Sequence, residues 1–161
     1  MALVSITRLR VRSWRYIPRF YLKVLRSALQ ARAAEQSMVV ALFSDRRNTY
    51  WTCTVWRDEA SMRSFMVSGA HRDAMPSLQA WCDEASVVHW VQDSDQAPTW
   101  EEAHQRMQTE GRQSRVSHPS VAHVACQIPP PRVRAVRVLH FKRQIAQQSV
   151  LGNAPASRER P

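Results

Sequence analysis

The stretch from Thr49 to Pro76 constrains the fold of this chain more than any other. Thr49–Trp56 alternates Tyr50, Thr52, Thr54 and Trp56 against Trp51, Cys53 and Val55, as a half-buried strand does. Asp58 follows at once, placed to cap a helix by accepting backbone N–H bonds. That helix runs through Met62, Phe65 and Met66 to a break at Gly69, and a second helical piece holds Leu78, Trp81 and Cys82. Pro76 requires the second piece to begin only a few residues earlier, which leaves His71 near a loop or a helix entry.

The flanking segments extend the pattern. Residues 3–12 read as a first strand, with Val4 and Ile6 on one side and Leu9 and Val11 on the other. Arg8, Arg10 and Arg12 are expected to face solvent or a rim. Residues 14–33 read as a helix with Ile17, Tyr21, Val24, Leu25 and Ala28 on its apolar face and a basic stripe of Arg15, Arg19, Lys23 and Arg26. Pro18 is tolerated there only in the first turn. Met38–Phe43 and Thr49–Trp56 form a hairpin across the turn residues 45–48. Ala85–Gln92 supplies a fourth strand, and Thr99-Trp-Glu-Glu102 is a capping box that opens a helix ending near Gly111.

The resulting order, β-α-β-β-α-β plus a helix, predicts a ferredoxin-like α+β domain over residues 1–111: one antiparallel sheet with helices on one face. The open face is expected to take a partner, most simply a second copy in a homodimer. Residues 112–131 form an irregular segment ending in Pro129-Pro-Pro131. Residues 132–161 read as a basic tail, disordered or loosely docked, with the competing possibility that Val133–Phe141 completes a sheet edge across the dimer.

Charge is distributed unevenly. Residues 1–34 carry +8 with no acid, residues 35–131 carry −4 and the remainder +6, which together give +10. The motifs therefore lie in the slightly acidic part, and no aromatic residues interleave with basic ones on the strands. Both points argue against nucleic acid as a partner. Three scattered cysteines without a C-x-x-C pair suit free thiols in a reducing cytoplasm. No apolar run reaches membrane-spanning length, and three glycines exclude a phosphate cradle.

With Trp51-x-x-x-x-Trp56-x-Asp-Glu-Ala at the end of the third strand and Phe65-x-x-Ser-x-x-His71 after it, residues 1–95 resemble the antibiotic-biosynthesis-monooxygenase-like dimeric α/β barrel superfamily, in its spheroidene-monooxygenase-like or uncharacterised branches. The resemblance implies monooxygenase-like oxidation of a small apolar or aromatic molecule, with haem as a possible cofactor. The alternative is a non-catalytic module that holds a small ligand or haem in a stress or secondary-metabolism pathway. The resemblance places catalytic roles on His71, Arg72 and Trp56, with His71 also the residue that would hold haem. The haem-degrading members carry an Asn on the first strand and a His ten residues after a helical Trp. Here the first strand has no Asn, Phe65 stands at the Trp position, and Met75 stands ten residues on.

Other groups weigh less. Trp51, Trp56, Trp81 and Trp90 are candidates for pocket walls, against ordinary core packing. Trp51 and Trp56, five apart, must face opposite sides of a regular strand. His89 reads as a surface or dimer-contact residue. His118, His123 and Cys126 have a metal-like spacing but no fourth ligand.

Overall fold

A computed structural model describes residues 1–132 and 135–141. The order is β1 (Ala2–Val11), a 3-10 turn (Trp14–Tyr16), α1 (Ile17–Ala33), β2 (Ser37–Ser44), β3 (Thr49–Trp56), α2 (Glu59–Met66), α3 (Gly69–Trp81), β4 (Cys82–Gln92), α4 (Trp100–Thr109), β5 (Arg112–Gln113), α5 (Val121–Val124) and β6 (Ala135–Phe141). The strands lie in the order β5-β4-β1-β3-β2-β6, every neighbour antiparallel. The inner four strands have the ferredoxin-like arrangement, so the chain is α+β as its element order requires.

Local chemistry sets the boundaries. Pro18 sits in the first turn of α1, where its missing N–H costs nothing. Arg47 and Asn48 both adopt left-handed backbone in the β2–β3 turn. Asp58 caps α2 by accepting from Ser61 N–H at 2.7 Å, and Thr99 caps α4 by accepting from Glu102 N–H at 3.1 Å. Pro76 departs from expectation. It lies inside α3, which begins at Gly69, so the Arg72 carbonyl has no Pro76 N–H to accept from within the helix. Cys82 belongs to β4 rather than to the helix.

The strand alternation sends two apolar sets to opposite faces. Leu3, Leu9, Val11, Val40 and Trp56 pack under α1, α2 and α3 with Phe20, Ala28, Ala31 and Met62. Val4, Ile6, Trp51, Cys53, Val55, Val88 and Trp90 form the core of the other face. That second face is not open. Ala103 and Met107 of α4 lie on it, fully buried, with Trp100 and Ile128 alongside. The physical argument for a second copy at this face rested on its being bare, and the chain covers it with its own α4.

The arginines of β1 also differ from expectation. Arg8 is 3% exposed and pairs with the equally buried Glu84 at 2.6 Å. Arg10 bonds both Asp83, at 2.7 Å, and Glu84, at 2.7 Å. Two carboxylates on the neighbouring strand offset the desolvation that would otherwise hold these guanidinium groups at the surface. Only Arg12 lies exposed, over the Tyr16 ring.

β6 pairs with β2 from Val39↔Phe141 to Ser44↔Ala135. The first part of the segment read as a tail thus extends the sheet edge, and it does so against β2 of its own chain rather than across a dimer. The tail reading for residues 142–161 lies outside the described residues.

Candidate active site: a cavity between sheet and helices

A cavity of about 210 Å³ lies between the helix layer and the sheet. Its floor follows from register. Val40, Thr54, Ser5 and His89 form one cross-strand row, and Leu42, Thr52, Thr7 and Val87 form the next. All eight line the cavity, so four hydroxyls sit together between apolar flanks. The walls are apolar: Val24, Ala28 and Ala31 from α1, Met62, Phe65 and Met66 from α2, Ala74, Met75 and Leu78 from α3. An apolar chamber with a few converging polar groups is the usual form of a small-molecule site.

His71 lines this cavity, held at two points. Its backbone N–H donates to Gln30 Oε1 at 2.9 Å, and its ring Nδ1 lies 3.0 Å from the Met66 carbonyl. A carbonyl only accepts, so Nδ1 carries the proton and Nε2 of the neutral ring is left with its lone pair. Burial lowers the His71 pKa, while the bond to the Met66 carbonyl works in the opposite sense. Gln30 also donates to the Ser68 carbonyl at 3.1 Å, tying α1 to the α2–α3 junction. Gly69 is required at that junction. Its φ is +51°, and a Cβ there would stand 2.9 Å from Gln30 Oε1.

His89 is the residue that sequence reasoning set aside. It lines the cavity beside Ser5, and its Nε2 is buried without a hydrogen-bond partner among the described residues. Burial lowers its pKa, with Arg112 adding to the effect. The alternation held the signal. Trp90 packs on the α4 face, so His89 must point toward the helices.

Trp56 and Arg72 lie outside the lining. Trp56 is fully buried against Phe65, and its indole N–H donates to Thr54 Oγ1 at 2.8 Å, orienting a floor hydroxyl. The Arg72 side chain is 67% exposed and lies 3.4 Å from Asp73. The other tryptophans divide as strand geometry requires: Trp51 and Trp90 in the opposite core, Trp81 stacked on Tyr16. His123 donates its backbone N–H to Ser120, and its carbonyl accepts from Gln113, both near the edge of β4. Among the described residues no three His, Cys, Asp or Glu side chains gather as a metal site would need.

Haem does not fit these residues. A dry cavity of about 150 Å³ accepts benzene, so 210 Å³ holds a substituted or small fused ring and not a tetrapyrrole. The lining offers a single cation, Arg115, for two propionates.

Comparison with known proteins shows that other chains share this fold. SnoaB, a cofactor-independent oxygenase from Streptomyces nogalater, superposes with a TM-score of 0.50 at 16% identity, over 58% of this chain and 94% of that one. A conserved protein from Methanosarcina mazei Go1 gives 0.53 at 14% identity over 58% and 94%. A protein described as an antibiotic biosynthesis monooxygenase gives 0.52 at 15% identity over 57% and 99%. No curated protein matches the chain. The model of a family described as a domain of unknown function (DUF3291) matches residues 24–115, more than half the chain. The chain therefore belongs to that family, and its fold is that of the antibiotic-biosynthesis-monooxygenase-like superfamily.

Proposed function

We propose that this protein binds a small aromatic molecule bearing a hydroxyl or carbonyl group in the sheet–helix cavity and oxidises it in a monooxygenase-like reaction. The observation that carries the proposal is the buried His89 Nε2, unpartnered among the described residues, at a floor of four hydroxyls in a mainly apolar chamber that His71 also lines. A substrate hydroxyl donating to one of these imidazole nitrogens satisfies a group that is otherwise costly to bury. Both rings have lowered pKa values, so both are neutral near pH 7 and able to accept a proton. Deprotonation makes the ring electron-rich. Molecular oxygen then converts the phenol to a quinone: one oxygen atom replaces the hydrogen of a ring C–H to give C=O, the hydroxyl carbon becomes the second C=O, and the other oxygen atom leaves as water with the ring hydrogen and the hydroxyl hydrogen. The substrate supplies all the electrons, and no step needs haem. In this scheme His71 and His89 are the bases, Trp56 positions Thr54, and Arg72, outside the lining, takes no part. The kinship of fold with an oxygenase that works without a cofactor supports this class of chemistry.

The test combines binding with oxygen uptake. A panel of one- and two-ring phenols is screened by tryptophan fluorescence, and bound compounds are followed with an oxygen electrode. Uptake in the wild type that is lost in His89→Gln with binding retained is the expected result. Binding without uptake indicates a holding module instead, and absence of binding across the panel refutes the site. A Soret shift on adding haem that disappears in His71→Ala would overturn the exclusion of haem.

A further inference from the structure

We propose that the outer face of α1 docks the protein onto an anionic lipid membrane. Pro18, Leu22, Leu25 and Leu29 recur at spacings of four, three and four, which places them in one row along the helix. Leu22, Leu25 and Leu29 are 57%, 47% and 49% exposed, although leucine at these positions would normally be packed. Tyr21 lies beside the row, and Trp14, 73% exposed, stands just before the helix. Arg19 and Arg26 run along one side of the row and Arg32 along the other, with Arg15 in the 3-10 turn just before the helix. None of these four arginines takes part in an ion pair among the described residues, and residues 1–34 contain no acid. An apolar row with an aromatic anchor and basic margins is the pattern of a helix lying in a lipid headgroup layer.

Charge selects among the possible occupants. A second copy would set arginine margins against arginine margins. Residues 142–161 carry four basic residues and one acid, the same sign as the helix. A phosphate-rich apolar surface complements both components at once. No helix among the described residues is long and apolar enough to cross a membrane. The inner face of the same helix supplies Val24, Ser27 and Ala28 to the cavity.

The test uses the full chain in co-sedimentation with vesicles of phosphatidylcholine alone and of phosphatidylcholine with phosphatidylglycerol, in low and high salt. Binding to the anionic vesicles about tenfold tighter than to neutral ones, and weakened by salt, is expected. Leu25→Glu and Arg19→Glu/Arg26→Glu should each lower binding by about tenfold or more without moving the thermal midpoint, since these side chains are exposed. Equal binding to both vesicle types, or binding indifferent to these substitutions, overturns the proposal. A Leu25-dependent dimer by light scattering, or RNA binding with no vesicle binding, overturns it in favour of another occupant.

Discussion

Filling the cavity would separate what it costs from what it does. A void of 210 Å³, were it dry and apolar throughout, would cost on the order of 5 kcal/mol at about 24 cal/mol per Å³. Ser5, Thr7, Thr52 and Thr54 reduce that figure by offering partners to water, so the recoverable part belongs to the apolar wall. Ala28 is on that wall, 6% exposed and clustered with Val40 and Met62. Ala28→Leu adds three carbons, each worth up to about 0.8 kcal/mol when buried, and cavity-filling changes commonly return about 0.5–2 kcal/mol. In a chain of this size each kcal/mol moves the thermal midpoint by about 2–4 °C, so a rise of roughly 1–8 °C is expected in scanning calorimetry. The same substitution should weaken binding of the best phenol by about tenfold or more, equivalent to about 1.4 kcal/mol, in a fluorescence titration. A midpoint lowered by several degrees with phenol binding intact would refute the reasoning. Ala28 would then abut packed side chains, and the ligand would sit elsewhere.

Glu84→Ala strands the buried Arg8 guanidinium and should cost about 3–5 kcal/mol in urea denaturation, whereas the apolar pair Arg8→Met/Glu84→Leu should recover most of the loss. Burial lowers the pKa of both His71 and His89, so on acidification the unfolded chain takes up protons first. Stability should be full above about pH 6.5 and decline as pH falls through the window down to the folded-state values; His89→Gln should flatten the urea midpoint between about pH 7.5 and 5.5, and an unchanged slope would refute the assignment. Cys53 and Cys82 are buried with pKa pushed up to about 12, while Cys126 is exposed. A thiol reagent should thus label Cys126 quickly in the native protein and all three only after unfolding. Ending the chain after Pro131 removes β6 and bares the edge of β2, so the midpoint should fall by more than about 4 °C, a loss above about 1 kcal/mol.

Local signals alone determined a good deal. The alternation in Thr49–Trp56 settled which side chains share a face, and Asp58 and Thr99 marked helix starts that the backbone reproduces, since capping and strand period depend on near neighbours. The same period carried His89 toward the helices, although a lone histidine in a strand gave no sign of what it would face. Distant pairings decided the rest. Arg8 reads as a surface residue until β4 brings Glu84 within 2.6 Å, and the second sheet face reads as bare until α4 folds over it. His71 was singled out as a candidate through the family resemblance, and local sequence said only that it lies near a helix entry. Its tautomer depends on the Met66 carbonyl and its placement on Gln30, 41 residues earlier in the chain. The four-hydroxyl floor exists only through register, because Ser5 and Thr7 meet Thr54 and Thr52 across strands that no local pattern aligns. Sequence fixes what each residue can do within a few neighbours; the free energy of long-range packing chooses which of those groups meet, and in this protein that choice makes the cavity.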